Sequence, residues 1–235
     1  MTKRTKARGS LVFLVDVDNT LLDNDKLKHD LAVKIKSMLG AQRAARFWQL
    51  YEQVRLQQDF VNYPATVEAW VSEFKDPAKG EKLTAALADW PFDRYLYPHA
   101  IDTLDYLKTM GSVVLLSDGD SVFQPLKIEK SGLQAAVDNN VLVYVHKEQE
   151  MGEVTKRFPA DRYVMVDDKP RILSALGRSC SGDVTTVLVR QGKYASKLGL
   201  YSHPDYIVRH IGDLRDFTRE QFLSPQAPEA AAEAS

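Results

Sequence analysis

Cysteine is nearly missing from this chain: Cys180 is the only one in 235 residues. One thiol excludes an internal disulfide framework and offers no pair of sulfur ligands to a metal. That fits a reducing compartment, and we expect a cytoplasmic protein in which Cys180 is a buried or loop thiol. Long apolar runs are missing too. No stretch approaches the roughly 18 apolar residues of a membrane span, and the basic opening "MTKRTKARGS" lacks the apolar segment and cleavage site of a secretory signal. Nor is there an excess of either charge, since 31 Lys and Arg stand against 32 Asp and Glu. A balanced chain has no basic field to hold nucleic acid or an anionic membrane surface. The expected partners are therefore small molecules, with the chain acting as a monomer or homodimer.

What is present is a set of short β-branched runs: "LVFLV" (11–15), "SVVLL" (112–116), "VLVYV" (141–145), "YVMV" (163–166), "VTTVLV" (184–189) and "YIV" (206–208). Continuous rather than alternating apolarity marks strands buried on both faces, as in parallel sheets covered by helices. Helical patterns lie between them. "HAIDTLDYLKTMG" sets Ile101, Leu104 and Leu107 on one face and stops at Gly111, and "QPLKIEKSGL" and "PRILSALG" follow suit. Such alternation predicts an α/β fold, a parallel sheet core flanked by helices. One segment, 25–93, has only helical patterns and reads as an inserted all-helical subdomain. The α/β core then spans 11–24 and 94–223, with disordered tails over 1–10 and 224–235, the latter rich in Ala, Glu, Pro and Ser.

Four strands run into polar sites. After the first come Asp16, Asp18, Asn19 and Thr20; after the second, Ser117, Asp118, Gly119 and Asp120; after the third, His146 and Lys147; after the fourth, Asp167, Asp168 and Lys169. Strands ordinarily end in polar turns, so one such site alone carries little weight. Together they supply carboxylates, a hydroxyl with a following glycine, and a lysine. In open α/β sheets ligands bind beyond the carboxyl ends of the strands, and this inventory suits a divalent cation and a phosphate. Like charges at about 4 Å repel by roughly 1 kcal/mol even in water, and a hard cation such as Mg²⁺, which prefers oxygen ligands, would relieve that repulsion. A calcium loop starting at Asp16 fails, because its sixth position is Leu21 rather than Gly and its twelfth is Leu27 rather than Glu.

The order and wording of these sites resemble the haloacid dehalogenase (HAD) superfamily. "DVDNT" matches its DxDxT signature, Ser117 in "LLSDGD" its second motif, a lysine its third and "VMVDD" its paired-acid fourth. The insertion between motifs one and two resembles that superfamily's helical C1 cap, and the core would be Rossmann-like. The resemblance implies a Mg²⁺-dependent phosphomonoester hydrolase. Asp16 would be the nucleophile that forms an aspartyl phosphate. Asp18 would protonate the leaving alcohol and then deprotonate the attacking water, and its backbone carbonyl would reach the metal. Dehalogenating members lack an acid at this position, so "DVD" favours phosphoryl chemistry. Thr20 would support the loop or cap a turn. Ser117 and the amides around Asp118 and Gly119 would hold the phosphoryl oxygens. Lys147 would supply positive charge to phosphate and to Asp16, with Lys127 in "QPLKIEKSGL" its competitor. Asp168, and Asp167 directly or through water, would complete the metal site with Asp16 and Asp18. Lys169 would pair with these acids or lie solvated, and His146 reads as a strand-end residue rather than a base.

Other readings stay open. A phosphomutase of the same superfamily would use the same intermediate and differ only in its acceptor. A phospho-accepting receiver also carries acids, a hydroxyl and a lysine at strand ends but needs neither Asp18 nor a long insertion, and a catalytically retired binding module is a further alternative. Within the insertion, Phe47, Tyr51 and Val54 share a face in the manner of core residues, and Arg43, Arg46 and Arg55 read as solvated.

Overall fold

The computed structural model describes residues 9–179, 184–194 and 199–225. Cys180, most of the basic opening and nearly all of the Ala-rich C-terminal stretch lie outside them. Six strands form one parallel sheet in the order β3-β2-β1-β4-β5-β6: β1 (Leu11–Val15), β2 (Ser112–Asp118), β3 (Val141–Tyr144), β4 (Arg162–Asp167), β5 (Val184–Val189) and β6 (Tyr206–Val208). The runs chosen from continuous apolarity are these strands. The sheet is Rossmann-like, as its alternation with helices requires.

Strand periodicity gives the sheet two cores. Leu11, Phe13 and Val15 of β1 face one cluster, while Val12 and Leu14 face the other. The first includes Leu104 and Leu107 of a helix over Ala100–Lys108 and Phe222 near the C-terminal end. The second includes Val154, Ile172 and Leu176, from helices over Met151–Arg157 and Pro170–Ser179.

The helical segment that follows β1 holds four α-helices: α1 (Asn24–Leu39), α2 (Ala41–Gln58), α3 (Tyr63–Phe74) and α4 (Pro77–Ala88). Their starts are written in the sequence. Asp23 accepts from Lys26 N at 2.9 Å, Asn62 from Ala65 N at 2.9 Å and Asp76 from Lys79 N at 3.2 Å, and Pro64 and Pro77 occupy first turns. Leu27, Leu31 and Ile35 of α1, Phe47 of α2 and Trp70 of α3 are buried in the cluster that also covers the sheet. The remaining helices are α5 (Ala100–Lys108), α6 (Phe123–Lys130), α7 (Leu133–Ala136), α8 (Met151–Arg157), α9 (Pro170–Ser179) and α10 (Arg219–Leu223). Among the described residues, no helix is long and apolar enough to cross a membrane.

Several strand ends differ from the sequence expectation: β3 stops at Tyr144, one residue short of its run, and β4 begins one residue early at Arg162. β2 extends past Leu116 through Ser117 and Asp118, which pair with Val143 and Tyr144, and β4 extends through Asp167, opposite Leu188. Polar residues that read as turn therefore still satisfy their backbone in the ladder. Their side chains are held by the sheet rather than by loops.

Candidate active site

The strand order reverses at β1, which is flanked by β2 and β4; a ligand crevice is expected at such a point. There the carboxylates of Asp16, Asp167 and Asp168 converge, one oxygen of each lying within 4.8 Å of the others. All three residues are at most 1% exposed, and Lys147 is completely buried beside them. The Lys147 ammonium is ion-paired with Asp16, lies 2.7 Å from Asp167 Oδ2 and donates to the Leu116 carbonyl at 3.1 Å. Thr20 Oγ1 donates to Asp16 Oδ2 at 3.3 Å.

The electrostatics follow from crowding. Burial and then the Asp167 charge push the Asp16 carboxyl up to about 6, and burial, Asp167 and Asp16 push Asp168 up to about 9. Burial opposes the Lys147 ammonium, but attraction to Asp16, Asp167 and Asp118 outweighs it and holds the group above the ordinary lysine range. Fully ionised, three buried carboxylates against the Lys147 ammonium in contact with them would carry an excess of negative charge, which the raised Asp168 carboxyl relieves by holding its proton. Asp167 has protein partners for both oxygens, since Oδ1 accepts from Lys169 N at 2.8 Å and Oδ2 faces Lys147. Among the described residues, Asp168 has no hydrogen-bond partner for either oxygen, although both are buried. Leaving a charged group so is costly, and the all-oxygen donor set with its negative excess when ionised fits a hard divalent cation.

Asp18 lies apart from this cluster. Its carboxylate is ion-paired with Lys127 of α6, a residue only 2% exposed. Lys147 and Lys127, which compete for one role in the sequence, thus occupy two places, one on Asp16 and one on Asp18. Asp118 accepts from Lys147 N and from Lys169 Nζ, each at 3.1 Å. Burial alone would raise the Asp118 carboxyl, but Lys147 and Lys169 hold it below its ordinary value. Lys169 therefore forms its ion pair with Asp118, and only its backbone reaches the Asp167 side chain. His146 Nε2 lies 3.0 Å from Asp59 Oδ2 of the helical segment.

Ser117 is buried, and its Oγ accepts from Gln124 Nε2 at 2.8 Å. Gly119 makes that contact feasible: a Cβ there would lie 2.6 Å from Gln124 Cβ. Beyond Asp18 opens a cavity of about 460 Å³ with walls from both the strand ends and the helical segment, including Asp118, Gly119, Lys127, Lys28 and Tyr63. Of the helical segment's arginines, Arg55 reaches this cavity, paired with Glu52 at 2.8 Å, while Arg43 and Arg46 pair with Asp76 and Glu73. Phe47, Tyr51 and Val54 are buried. Sequence reasoning missed Gln124, Lys28 and Tyr63. Gln124 follows Ser117 by seven residues with no motif to flag it, and no motif marks Lys28 or Tyr63.

Comparison with known proteins agrees with this geometry. Residues 11–179 match the family model described as a hydrolase, "haloacid dehalogenase-like hydrolase". No curated protein sequence matches the chain. Among solved structures, one described as a haloacid dehalogenase-like hydrolase from Burkholderia xenovorans LB400 is 39% identical, with a TM-score of 0.85 over 92% of this chain and 100% of that one. Two more distant structures share the fold. L-2-haloacid dehalogenase from Xanthobacter autotrophicus, with chloropropionic acid covalently bound, is 16% identical, with a TM-score of 0.56 over 87% and 96% of the two chains. A HAD-hydrolase from Bacillus subtilis bound to magnesium is 16% identical, with a TM-score of 0.57 over 89% and 98%. On the family match and the close relative together, the chain belongs to the haloacid dehalogenase-like hydrolase family.

Proposed function

We propose that the chain is a Mg²⁺-dependent phosphatase of small phosphomonoesters, acting in the cytoplasm through an aspartyl phosphate on Asp16, with helices 25–93 serving as a cap over the site. The observation that carries this reading is the buried cluster of Asp16, Asp167 and Asp168, whose crowding raises the Asp16 and Asp168 carboxyls, beside Lys147 and two residues from Asp18. Asp16 and Asp168, with Asp167 as the less available acid, would hold the ion. When bound, it would neutralise charge between phosphate and nucleophile.

The remaining steps belong to the chain. An Asp16 oxygen attacks phosphorus as the bond to the leaving oxygen breaks, and that oxygen takes a proton from Asp18. Water then gives a proton to Asp18 and attacks phosphorus, which releases phosphate and restores the Asp16 carboxylate. Lys147 stays on Asp16 and balances charge on the phosphoryl oxygens, with the Ser117 hydroxyl and the Asp118 amide as further donors, whereas the expected Gly119 amide is spent on the Tyr144 carbonyl at 2.9 Å. Lys127 orients Asp18. Closure of the helices would keep bulk water from the intermediate.

A dehalogenase of 2-haloacids is the competing reading, since distant neighbours with this fold carry that activity. Asp18, an acid with work to do only when an alkoxide leaves, speaks for phosphoryl transfer. The test measures inorganic phosphate released from an aryl phosphate and halide released from 2-chloropropionate, with and without Mg²⁺, by the native protein and by Asp16→Asn. The expected result is Mg²⁺-dependent phosphate release that the substitution abolishes. Halide release without phosphate release would overturn the phosphatase reading.

A further inference from the structure

The helical segment and the strand ends share one cavity, and most of its positive charges are already committed. Lys127 is paired with Asp18, Lys169 with Asp118 at 3.1 Å, Arg55 with Glu52 at 2.8 Å, Arg171 with Glu148 at 2.5 Å and His146 with Asp59 at 3.0 Å; Lys193 lies 3.8 Å from Asp25. Lys28 is different. It lines the same cavity from α1, half-buried, and its ammonium sits 5.3 Å from the centre of the Tyr51 ring, with no carboxylate paired to it among the described residues.

Beside it stand two buried tyrosines whose hydroxyls interact with each other, so that of the pair's two protons one is left to give. Tyr51 and Tyr63 are 3% and 2% exposed, their rings are 5.3 Å apart, and neither hydroxyl makes an aligned hydrogen bond. Tyr63 also lines the cavity. Burial raises both phenols above their ordinary range, so at neutral pH each keeps its proton. Buried hydroxyls are ordinarily satisfied, and a donor on the wall of a cavity, next to an uncommitted ammonium, calls for an anionic acceptor.

We propose that the cavity binds a phosphomonoester of a small hydroxy acid, its carboxylate received by Lys28 with the Tyr63 hydroxyl as second donor, and its phosphate directed to Asp16. This rests on the phosphatase reading for the phosphate end only. The charge count selects carboxylate over a second phosphate. One uncommitted ammonium balances a monoanion, whereas a dianionic group would face Asp18, Asp25 and Asp59 on the same walls with one charge unmatched. A volume of about 460 Å³ sits at the small end of ligand pockets. Lys28 is thus a specificity-determining residue on the cap side.

The experiment is calorimetric binding to Asp16→Asn in Mg²⁺, so that the ligand survives, with three probes: 2-phosphoglycolate, its methyl ester and ethane-1,2-diol bisphosphate. The expected result is tenfold or tighter binding of phosphoglycolate than of its ester. Lys28→Met and Lys28→Gln should remove that preference, Lys28→Arg should keep most of it, and Tyr63→Phe should weaken it several-fold. Equal binding of acid and ester, no binding of the acid, a preference that survives Lys28→Met, or tighter binding of the bisphosphate would each overturn the proposal. Hydrolysis is scored separately on the native protein. If the acid is preferred through Lys28 and yet no phosphate is released, the phosphatase reading fails while this site stands; phosphate release without an acid preference means the reverse.

Discussion

Lys147 is the residue on which the charge balance of the site turns. It is fully buried between Asp16 and Asp167, and without it three carboxylates would share a pocket with no positive side chain in contact. Breaking a buried pair from one side costs about 3–5 kcal/mol, so Lys147→Met is expected to lower the free energy of unfolding by that amount in the metal-free protein, measured by urea titration. A loss below about 1 kcal/mol would mean that the pair is not closed in solution. Lys127 poses a different case, because its partner Asp18 is assigned the proton transfers. General acid–base groups contribute about 10²–10⁴-fold, and a residue that only orients one should cost less. Lys127→Met is expected to reduce kcat about 10- to 100-fold with little change in KM, as steady-state kinetics would show. The acids and Lys147 were legible because each directly follows an apolar run. Lys28 and Tyr63 were not, since an uncommitted lysine and an unsatisfied hydroxyl are defined only by what the folded chain fails to place against them.

At the scale of elements, the placement of Ser117 depends on β2 and α6 together. β2 holds Ser117 in register with Val143, and α6 carries Gln124 onto the Ser117 hydroxyl across a gap that admits only glycine at 119. Gly119→Ala is expected to displace Gln124, cost about 1–3 kcal/mol of stability and lower kcat/KM for an aryl phosphate at least tenfold. Unchanged kinetics would show that Gln124 does not position Ser117. Strand and helix identities were readable because continuous β-branched runs alternate with amphipathic stretches, and α1, α3 and α4 announce their starts with Asp23, Asn62 and Asp76. The ends of β2 and β4 were read short because Ser117, Asp118 and Asp167 have turn-like side chains, while parallel pairing with Val143, Tyr144 and Leu188 decides their backbone.

At the scale of the whole molecule, the acidic cluster couples folding to pH and to metal. Asp16 and Asp168 have folded-state pKa values raised from 3.8 to about 6 and about 9. A carboxyl raised on folding contributes stability that is complete below its unfolded value and is lost as pH rises through its folded one. The metal-free protein is therefore expected to lose thermal stability between about pH 4 and pH 9. Mg²⁺, competing with protons for the same oxygens, should raise the melting temperature more at pH 8 than at pH 5. Melting curves in EDTA and in Mg²⁺ at the two pH values check this. A midpoint that climbs with pH in EDTA, or a Mg²⁺ effect independent of pH, would mean that these acids are not the ones that bind the ion.

The central claim is that Asp16 becomes phosphorylated during turnover. Its most direct test is to quench the native protein in acid within milliseconds of mixing with an aryl phosphate and Mg²⁺, then locate any covalent phosphoryl group by peptide mass spectrometry. One phosphoryl group is expected, on Asp16, absent when Mg²⁺ is withheld. Phosphate release with no trapped adduct at any quench time, or an adduct on another residue, would contradict it.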